Sequence, residues 1–153
     1  MASTLREVFM LIAEDGSVLW SDVSESPVRL PDSRARWEAI WSRRDRIAEI
    51  AHSHPVGPLA FSREDETTMR ALVSALGRSL LFSVVAPAGM VRHTEPFGAP
   101  SPRLDALVRD EPWWTALLRL ASGITHVDAR DDARSPNVVR GVAASNDIAI
   151  KEQ

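Results

Sequence analysis

The order of segments in this sequence predicts a single α/β (α+β) domain, built as a mixed sheet flanked by helices. Three observations carry that expectation. The chain has 153 residues, enough for one sizeable core and too few for two. Its first strand-forming run, Val8-Phe9-Met10-Leu11-Ile12-Ala13, is apolar at every position instead of alternating, which fits a strand covered on both faces. Strand-like and helix-like segments then follow as strand, strand, helix, strand, helix, strand, strand, helix. There is no internal repeat and no low-complexity stretch.

Each element has a local reason. Asp15-Gly16, between the first run and Val18-Leu19-Trp20, marks a hairpin. Pro27 and Pro31 mark a loop, after which Asp32 or Ser33 caps a helix running to about Asp45. Trp37, Ile40, Trp41 and Arg44 recur there at helical spacing, with Trp and Ile as an apolar stripe. Arg46 to His54 reads as a strand stopped by Pro55, and Val56 to Phe61 as a Gly/Pro loop. Ser62-Arg63-Glu64-Asp65 resembles a capping box with acids in the first turn. Met69, Leu72, Val73 and Leu76 line one face of the helix it opens, and Gly77 stands where a helix C-terminus favours glycine. Ser79 to Ala86 is a buried strand, and Pro87-Ala88-Gly89 turns it into a return strand from Met90 to His93. Glu95 to Pro102 is a linker. A helical region is expected from Arg103 to Ser122, broken near Pro112, with Trp113, Trp114, Leu117, Leu118 and Leu120 as its apolar side and Gly123 at its end. The pairs Trp37/Trp41 and Trp113/Trp114 are expected in the core; exposure of either would mark a partner-docking patch. The main domain is expected over 1–123. An extension over 124–153 carries candidate short strands at Thr125–Val127 and Val138–Val142 and a fraying tail, Asn146–Gln153.

Composition narrows the function. A net charge of -3 and a pI near 5.8 argue against a broad basic face for nucleic acid. No apolar run is long enough to span a membrane. The opening Met1–Glu7 has no basic stretch leading into an apolar one, so a cytoplasmic protein is expected. The chain has no cysteine, which excludes disulfides, thiolate zinc sites, iron–sulfur clusters and cysteine nucleophiles. Any metal must be held by His, Asp or Glu. Of the 18 basic residues only Lys151 is a lysine. That bias fits a GC-rich genome, and also a protein that handles lysine-linked conjugates.

One segment carries chemistry: Ala51-His52-Ser53-His54-Pro55, then Ser62-Arg63-Glu64-Asp65. Strand side chains alternate, so His52 and His54 share one face at a spacing that lets two imidazoles hold one metal. Asp65 falls in the first turn of the next helix, at the sheet edge, where a short carboxylate can reach back to the same point. Two His, one Asp and water make a three-ligand catalytic zinc site with an open fourth position. Glu64 and Glu66 lie about 100° round the helix from Asp65, and Glu49 projects from the opposite face of the histidine strand. The histidines could be ordinary surface residues, and Ser62 and Asp65 only a helix cap. Chance would give this pattern in roughly one in a thousand chains of such composition.

These residues resemble the JAMM motif of the MPN+ (JAB) zinc metalloprotease family in its compact prokaryotic form. The resemblance covers roughly residues 5 to 93. It implies an MPN/JAB-like fold, similar to the cytidine-deaminase type, and an early-strand glutamate as catalytic base. Glu7, which opens the first strand 45 residues before His52, fits that role. Glu14, at the turn end of the same strand, and Glu25, in a Ser/Pro loop, are alternatives. Most members carry a helix before this glutamate. Here only six residues precede it, so that helix is expected to be absent or replaced, for example by the segment 103–122. The chain passes from the helix ending at Gly77 straight into the next strand, without the insertions that eukaryotic deubiquitinases of the family use.

The resemblance implies a zinc-dependent peptidase or isopeptidase. His52, His54 and Asp65 would hold Zn2+, Glu7 would act as general base and acid, and Ser62 would donate to the developing oxyanion. Ser53 would face away from the metal in a structural role, and His93 and His126 would be surface or structural. The implied substrate is a ubiquitin-like protein, or its conjugates, cut after the C-terminal glycine. E1- and E2-like proteins would be partners, in antiphage defence or sulfur-carrier pathways. The loop Val56–Phe61 is expected to flank a groove narrow enough to select glycine. A non-catalytic MPN scaffold, or a zinc hydrolase like the RadC branch with no ubiquitin-like substrate, are the other readings.

Overall fold

A computed structural model describes residues 4–28, 33–98 and 104–124. Its elements are β1 (Val8–Ala13), β2 (Val18–Val23), α1 (Arg34–Ser42), β3 (Ile47–Ser53), α2 (Arg63–Leu76), β4 (Leu80–Ala86), β5 (Gly89–Glu95), β6 (Ala106–Leu107) and α3 (Trp114–Ala121). They form one mixed sheet in the order β2-β1-β3-β4-β5-β6. Among the described strands only β3 and β4 run parallel. A parallel pair needs a crossover, and α2 supplies it. The end of β3 and the start of α2 are therefore neighbours by construction.

The wholly apolar β1 has the predicted consequence. Phe9 and Leu11 join Ile50 and Phe82 under α1 and α2, in a core completed by Ile40, Met69 and Leu72. On the other face Val8, Met10 and Ile12 pack with Ala51, Val85 and Met90 against Trp114 and Leu118 of α3. Among the described residues no helix is long and apolar enough to cross a membrane.

Several sequence expectations shift. The first helix ends at Ser42, short of Asp45, and its cap is Ser33, whose Oγ accepts from the Arg36 amide. Asp32 lies outside the described residues. The stripe through Trp37 and Trp41 is not core: α1 buries only Ala39 and Ile40, and the two tryptophans flank that contact at 41% and 54% exposure. In a nine-residue helix lying on a sheet, one narrow line of contact suffices, so a broad apolar stripe leaves its margins in water. The long helical segment from Arg103 is also corrected. Residues 106–107 add a sixth strand, and the helix begins only at Trp114, after Pro112. Trp114 is buried and Trp113 exposed, its indole N–H donating to the Gly16 carbonyl at 3.0 Å. Leu117 and Leu120 are exposed as well. The return strand runs through Glu95, beyond His93. His126, the candidate strands at 125–127 and 138–142 and the rest of the extension lie outside the described residues.

Candidate metal centre

Backbone pairing places the strand residues of the cluster. Phe9 on β1 stands opposite His52 on β3, so Glu7, two residues before Phe9, projects from the same face. Glu7 is held on both sides of its own backbone: its amide donates to the Ser26 carbonyl at 2.8 Å, and its carbonyl accepts from the Ser24 amide at 2.9 Å. His54 lies one residue past β3, and its amide donates to the Val85 carbonyl at 2.8 Å, which prolongs the pairing with β4.

Asp65 is aimed by the helix cap. The Ser62 Oγ accepts from the Asp65 amide at 3.0 Å, and the Asp65 Oδ2 accepts from the Ser62 amide at 2.7 Å, a complete capping box. The same carboxylate faces both imidazoles. His52 Nε2 lies 3.3 Å from Asp65 Oδ1, His54 Nε2 lies 3.4 Å from Asp65 Oδ2, and the two Nε2 atoms are 3.0 Å apart. Bonds of 2.0–2.1 Å to a tetrahedral ion separate neighbouring donors by about 3.3 Å. The two imidazole nitrogens stand close to that spacing, and Asp65 meets them through different oxygens, Oδ1 toward His52 and Oδ2 toward His54; two imidazoles and a carboxylate are the donor chemistry of a zinc site.

The His54 ring has one tautomer open to it. The Pro58 carbonyl, 3.0 Å from Nδ1, can only accept, so Nδ1 carries a proton and Nε2 faces the cluster, donating to Asp65 when the ring is protonated and offering its lone pair when the ring is neutral. Gly57 makes room for that ring: a Cβ at this position would stand 3.3 Å from the His54 Cβ and Cγ. Sequence reasoning missed the roles of Gly57 and Pro58; the close His-Pro-Val-Gly-Pro spacing was the available signal.

Glu7, His52 and His54 form a group whose ligand atoms all lie within 4.8 Å of one another, and this group could hold a metal ion. Asp65 stands outside that group of three and approaches His52 through Oδ1 and His54 through Oδ2. Glu14 and Glu25 are exposed, so of the three candidate glutamates only Glu7 enters the cluster.

Charge and burial set the protonation states. Burial raises the Glu7 carboxyl to about 7; the nearby Asp65 charge adds to this, while His54 and Arg36 oppose it. Burial also acts against the Asp65 charge, but hydrogen bonds from His52 and His54 outweigh it and hold Asp65 well below the usual carboxylate range. For His54, burial opposes the charged form, yet its contacts with Asp65 and Pro58 win and its pKa is raised.

The reverse face of β3 is structural, as expected for Ser53. The fully buried Ser53 Oγ accepts from the Val8 amide at 2.9 Å and lies 2.6 Å from the Ser122 Oγ. The Leu118 carbonyl can only accept the Ser122 proton, so the Ser53 hydroxyl donates to Ser122. This chain ties α3 and β3 to the residue after Glu7. Glu49, also on that face, forms two 2.9 Å bonds with Arg92. His93 is buried and structural, between Glu95 at 3.2 Å and the Leu104 carbonyl at 3.3 Å.

The cluster opens into a cleft of about 480 Å³, whose lining includes Glu7, His52, His54, Ser62 and Asp65. Arg36 and Trp37 of α1 also line it, as does Val28, residues whose part in the site sequence reasoning missed. No family model matches this chain. No curated protein matches it either.

Proposed function

We propose that this protein is a zinc-dependent peptidase or isopeptidase, with His52, His54 and Asp65 as the metal ligands and Glu7 as the general base. The observation that carries the reading is the convergence of two imidazoles, their Nε2 atoms 3.0 Å apart, and the Asp65 carboxylate beside a buried carboxyl raised to about 7. A zinc ion here would activate water at its open position and polarise the carbonyl to be cut.

The chain's own residues supply the rest. Glu7 takes the proton of the attacking water and passes it to the leaving amine; a pKa near neutrality suits both transfers. Its clamped backbone keeps the carboxyl in place during the transfer. The Ser62 hydroxyl was expected to be divided between capping and oxyanion donation. The cap uses its oxygen only as an acceptor, so its O–H is free of that bond and can donate to the oxyanion. Asp65 stays ionised as a ligand, and the Pro58 carbonyl keeps His54 in the ligating tautomer.

The substrate we propose is the extended C-terminal tail of a ubiquitin-like protein, cut after its terminal glycine, free or conjugated to a target. E1- and E2-like proteins would then be functional partners, in the cytoplasm. This rests on the resemblance of His52-Ser53-His54-Pro55 and Ser62-Arg63-Glu64-Asp65 to the JAMM motif. A complete ligand set with an adjacent base favours an enzyme over an MPN scaffold. Incubating the zinc-loaded protein with a ubiquitin-like fusion tests it: cleavage after the glycine, abolished by a chelator, is expected. Metal-dependent cleavage of unrelated substrates only would favour a hydrolase like the RadC branch, and an inert zinc protein would favour the scaffold.

A further inference from the structure

The polarity of α3 is the reverse of that of a surface helix. Its polar side chains, Thr115 and Arg119, are buried and bonded within the fold. The Thr115 hydroxyl donates to the Pro112 carbonyl at 2.7 Å, and the Arg119 guanidinium donates to the Ala86 and Gly89 carbonyls at 3.1 Å each. The exposed positions are all apolar: Trp113 at the cap, then Ala116, Leu117 and Leu120, spaced as one helix face. Trp113, Leu117 and Leu120 are 62%, 42% and 71% exposed. The Trp113 indole N–H is already bonded to the Gly16 carbonyl, so its ring offers only apolar surface. Single exposed leucines are ordinary, but a helix that is apolar on every side is one that other chain covers.

The face is small. Eight residues make a helix about 12 Å long and 10 Å wide, far below the roughly 800 Å² per partner that a stable interface between folded proteins buries. One segment of chain is enough to cover it, and this chain brings one to the right place. The helix ends in a Schellman motif: Gly123 has φ 83°, its amide donates to the Leu120 carbonyl at 3.1 Å, and the Ile124 amide donates to the Arg119 carbonyl at 2.9 Å. The described residues end there, beside Leu120, and 125–153 follow in the sequence. The stretch 125–137 carries the charges of Asp128, Arg130, Asp131, Asp132 and Arg134, and Val138-Val139-Arg140-Gly141-Val142 is apolar at both ends.

We infer that Val138–Val142 is the segment that covers the outer face of α3. The inference is independent of the function proposed above. At about 3.3 Å per residue the connection through 125–137 reaches about 40 Å, well beyond the length of α3, so the segment can return from the helix end to Leu117 and Trp113. Tethering presents it to the face at an effective concentration of the order of mM, and a modest apolar contact then suffices. The three valines exchange water for Leu117, Leu120 and the Trp113 ring. The helix they cover is bonded through Ser122 and Ser53 to the Val8 amide, next to Glu7, so the segment braces the side of the sheet opposite the cleft.

The chain has no cysteine, so introduced cysteines report alone. In the full-length protein Leu120→Cys is combined in turn with Val138→Cys, Val139→Cys and Val142→Cys, and disulfide closure under diamide is followed by mass spectrometry. The control pairs the same valine positions with Thr67→Cys, exposed on α2 across the sheet. At least one α3 pair is expected to close within one chain about ten-fold faster than its control, the ratio for burying roughly one valine side chain. Adding Leu117→Ser, which makes the face polar at an exposed position, is expected to bring that pair down to the control rate. Closure no faster than the control for every pair, or a preference that Leu117→Ser leaves unchanged, would overturn the inference. Disulfide-linked dimers of Leu120→Cys that form faster than any closure within the chain would assign the face to a second copy and overturn it as well.

Discussion

Glu7 and Glu49 are equally buried, each 5% exposed, and they stand on opposite faces of the same sheet. Glu49 is held by two hydrogen bonds from the Arg92 guanidinium, and its charge is balanced where it lies. Glu7 faces two imidazoles, the Asp65 carboxylate and a cleft, and burial holds its proton to about 7. Depth alone thus decides nothing about a buried acid. A guanidinium partner makes Glu49 part of the framework, whereas Glu7 has no such pairing and burial raises its carboxyl, the state that the proposed role as proton carrier needs. The two faces differ accordingly. The α3 face is tied by Ser53, Ser122 and Glu49, and the α1/α2 face opens around the donor cluster.

The largest expected effect tests the active half of that contrast. Glu7→Gln keeps shape and hydrogen-bonding capacity but cannot carry a proton, so cleavage of the fusion substrate should fall by about 10²–10⁴-fold. Wild-type turnover in this variant would move the base elsewhere. The framework half is tested by Arg92→Ala, which strands the Glu49 carboxylate. The fold should lose about 3 kcal/mol in denaturant unfolding, the lower end for an uncompensated buried charge because Arg92 is partly exposed. The protein that remains folded should still cleave normally; lost activity without lost stability would erase the distinction between the two glutamates.

A smaller effect is expected at Gly57. Its new Cβ in Gly57→Ala meets the His54 ring at 3.3 Å and disturbs the bond to Pro58. Metal affinity should drop about 10–100-fold, as for other groups that orient a ligand, with the melting temperature of the metal-free protein little changed. The smallest effect is a pH dependence of the metal-free protein. The Glu7 pKa is raised in the folded state, from 4.5 to about 7. Its contribution to stability is therefore complete below pH 4.5 and is lost as pH rises through about 7. The raised His54 acts in the same direction from its ordinary value of 6.5 upward. The lowered Asp65 acts oppositely, its contribution present above 3.8 and lost in stronger acid. Unfolding midpoints between pH 4.5 and 7 should decline in the wild type and decline less in Glu7→Gln; parallel curves would mean that Glu7 titrates normally.

Much of this contrast was legible in the sequence because it depends on parity along strands. Odd and even positions of β3 separate His52 and His54 from Glu49 and Ser53, whereas Glu7 was expected beside the histidines only from the family resemblance, and the register of β1 on β3 puts it on their face. The capping pattern Ser62–Asp65 placed the carboxylate, since a helix start after a strand returns to the sheet edge. Trp37 and Trp41 are not core because helical periodicity reports which residues share a side. It does not report how much of that side a short helix buries, and α1 buries only Ala39 and Ile40. Trp113 and Trp114 look alike in sequence, and only the roll of α3 on the sheet separates them. The cleft was illegible for a related reason: it is the gap left between two helices, and no residue pattern records a gap.

The most direct measurement is the zinc content of two variants purified side by side, Glu7→Gln and Asp65→Ala. With His52, His54 and Asp65 as ligands and Glu7 as base, elemental analysis should find one zinc per chain in the wild type and in Glu7→Gln. It should find little or none in Asp65→Ala. Zinc lost from Glu7→Gln and kept by Asp65→Ala would make Glu7 a ligand and contradict the division of roles proposed for the cluster.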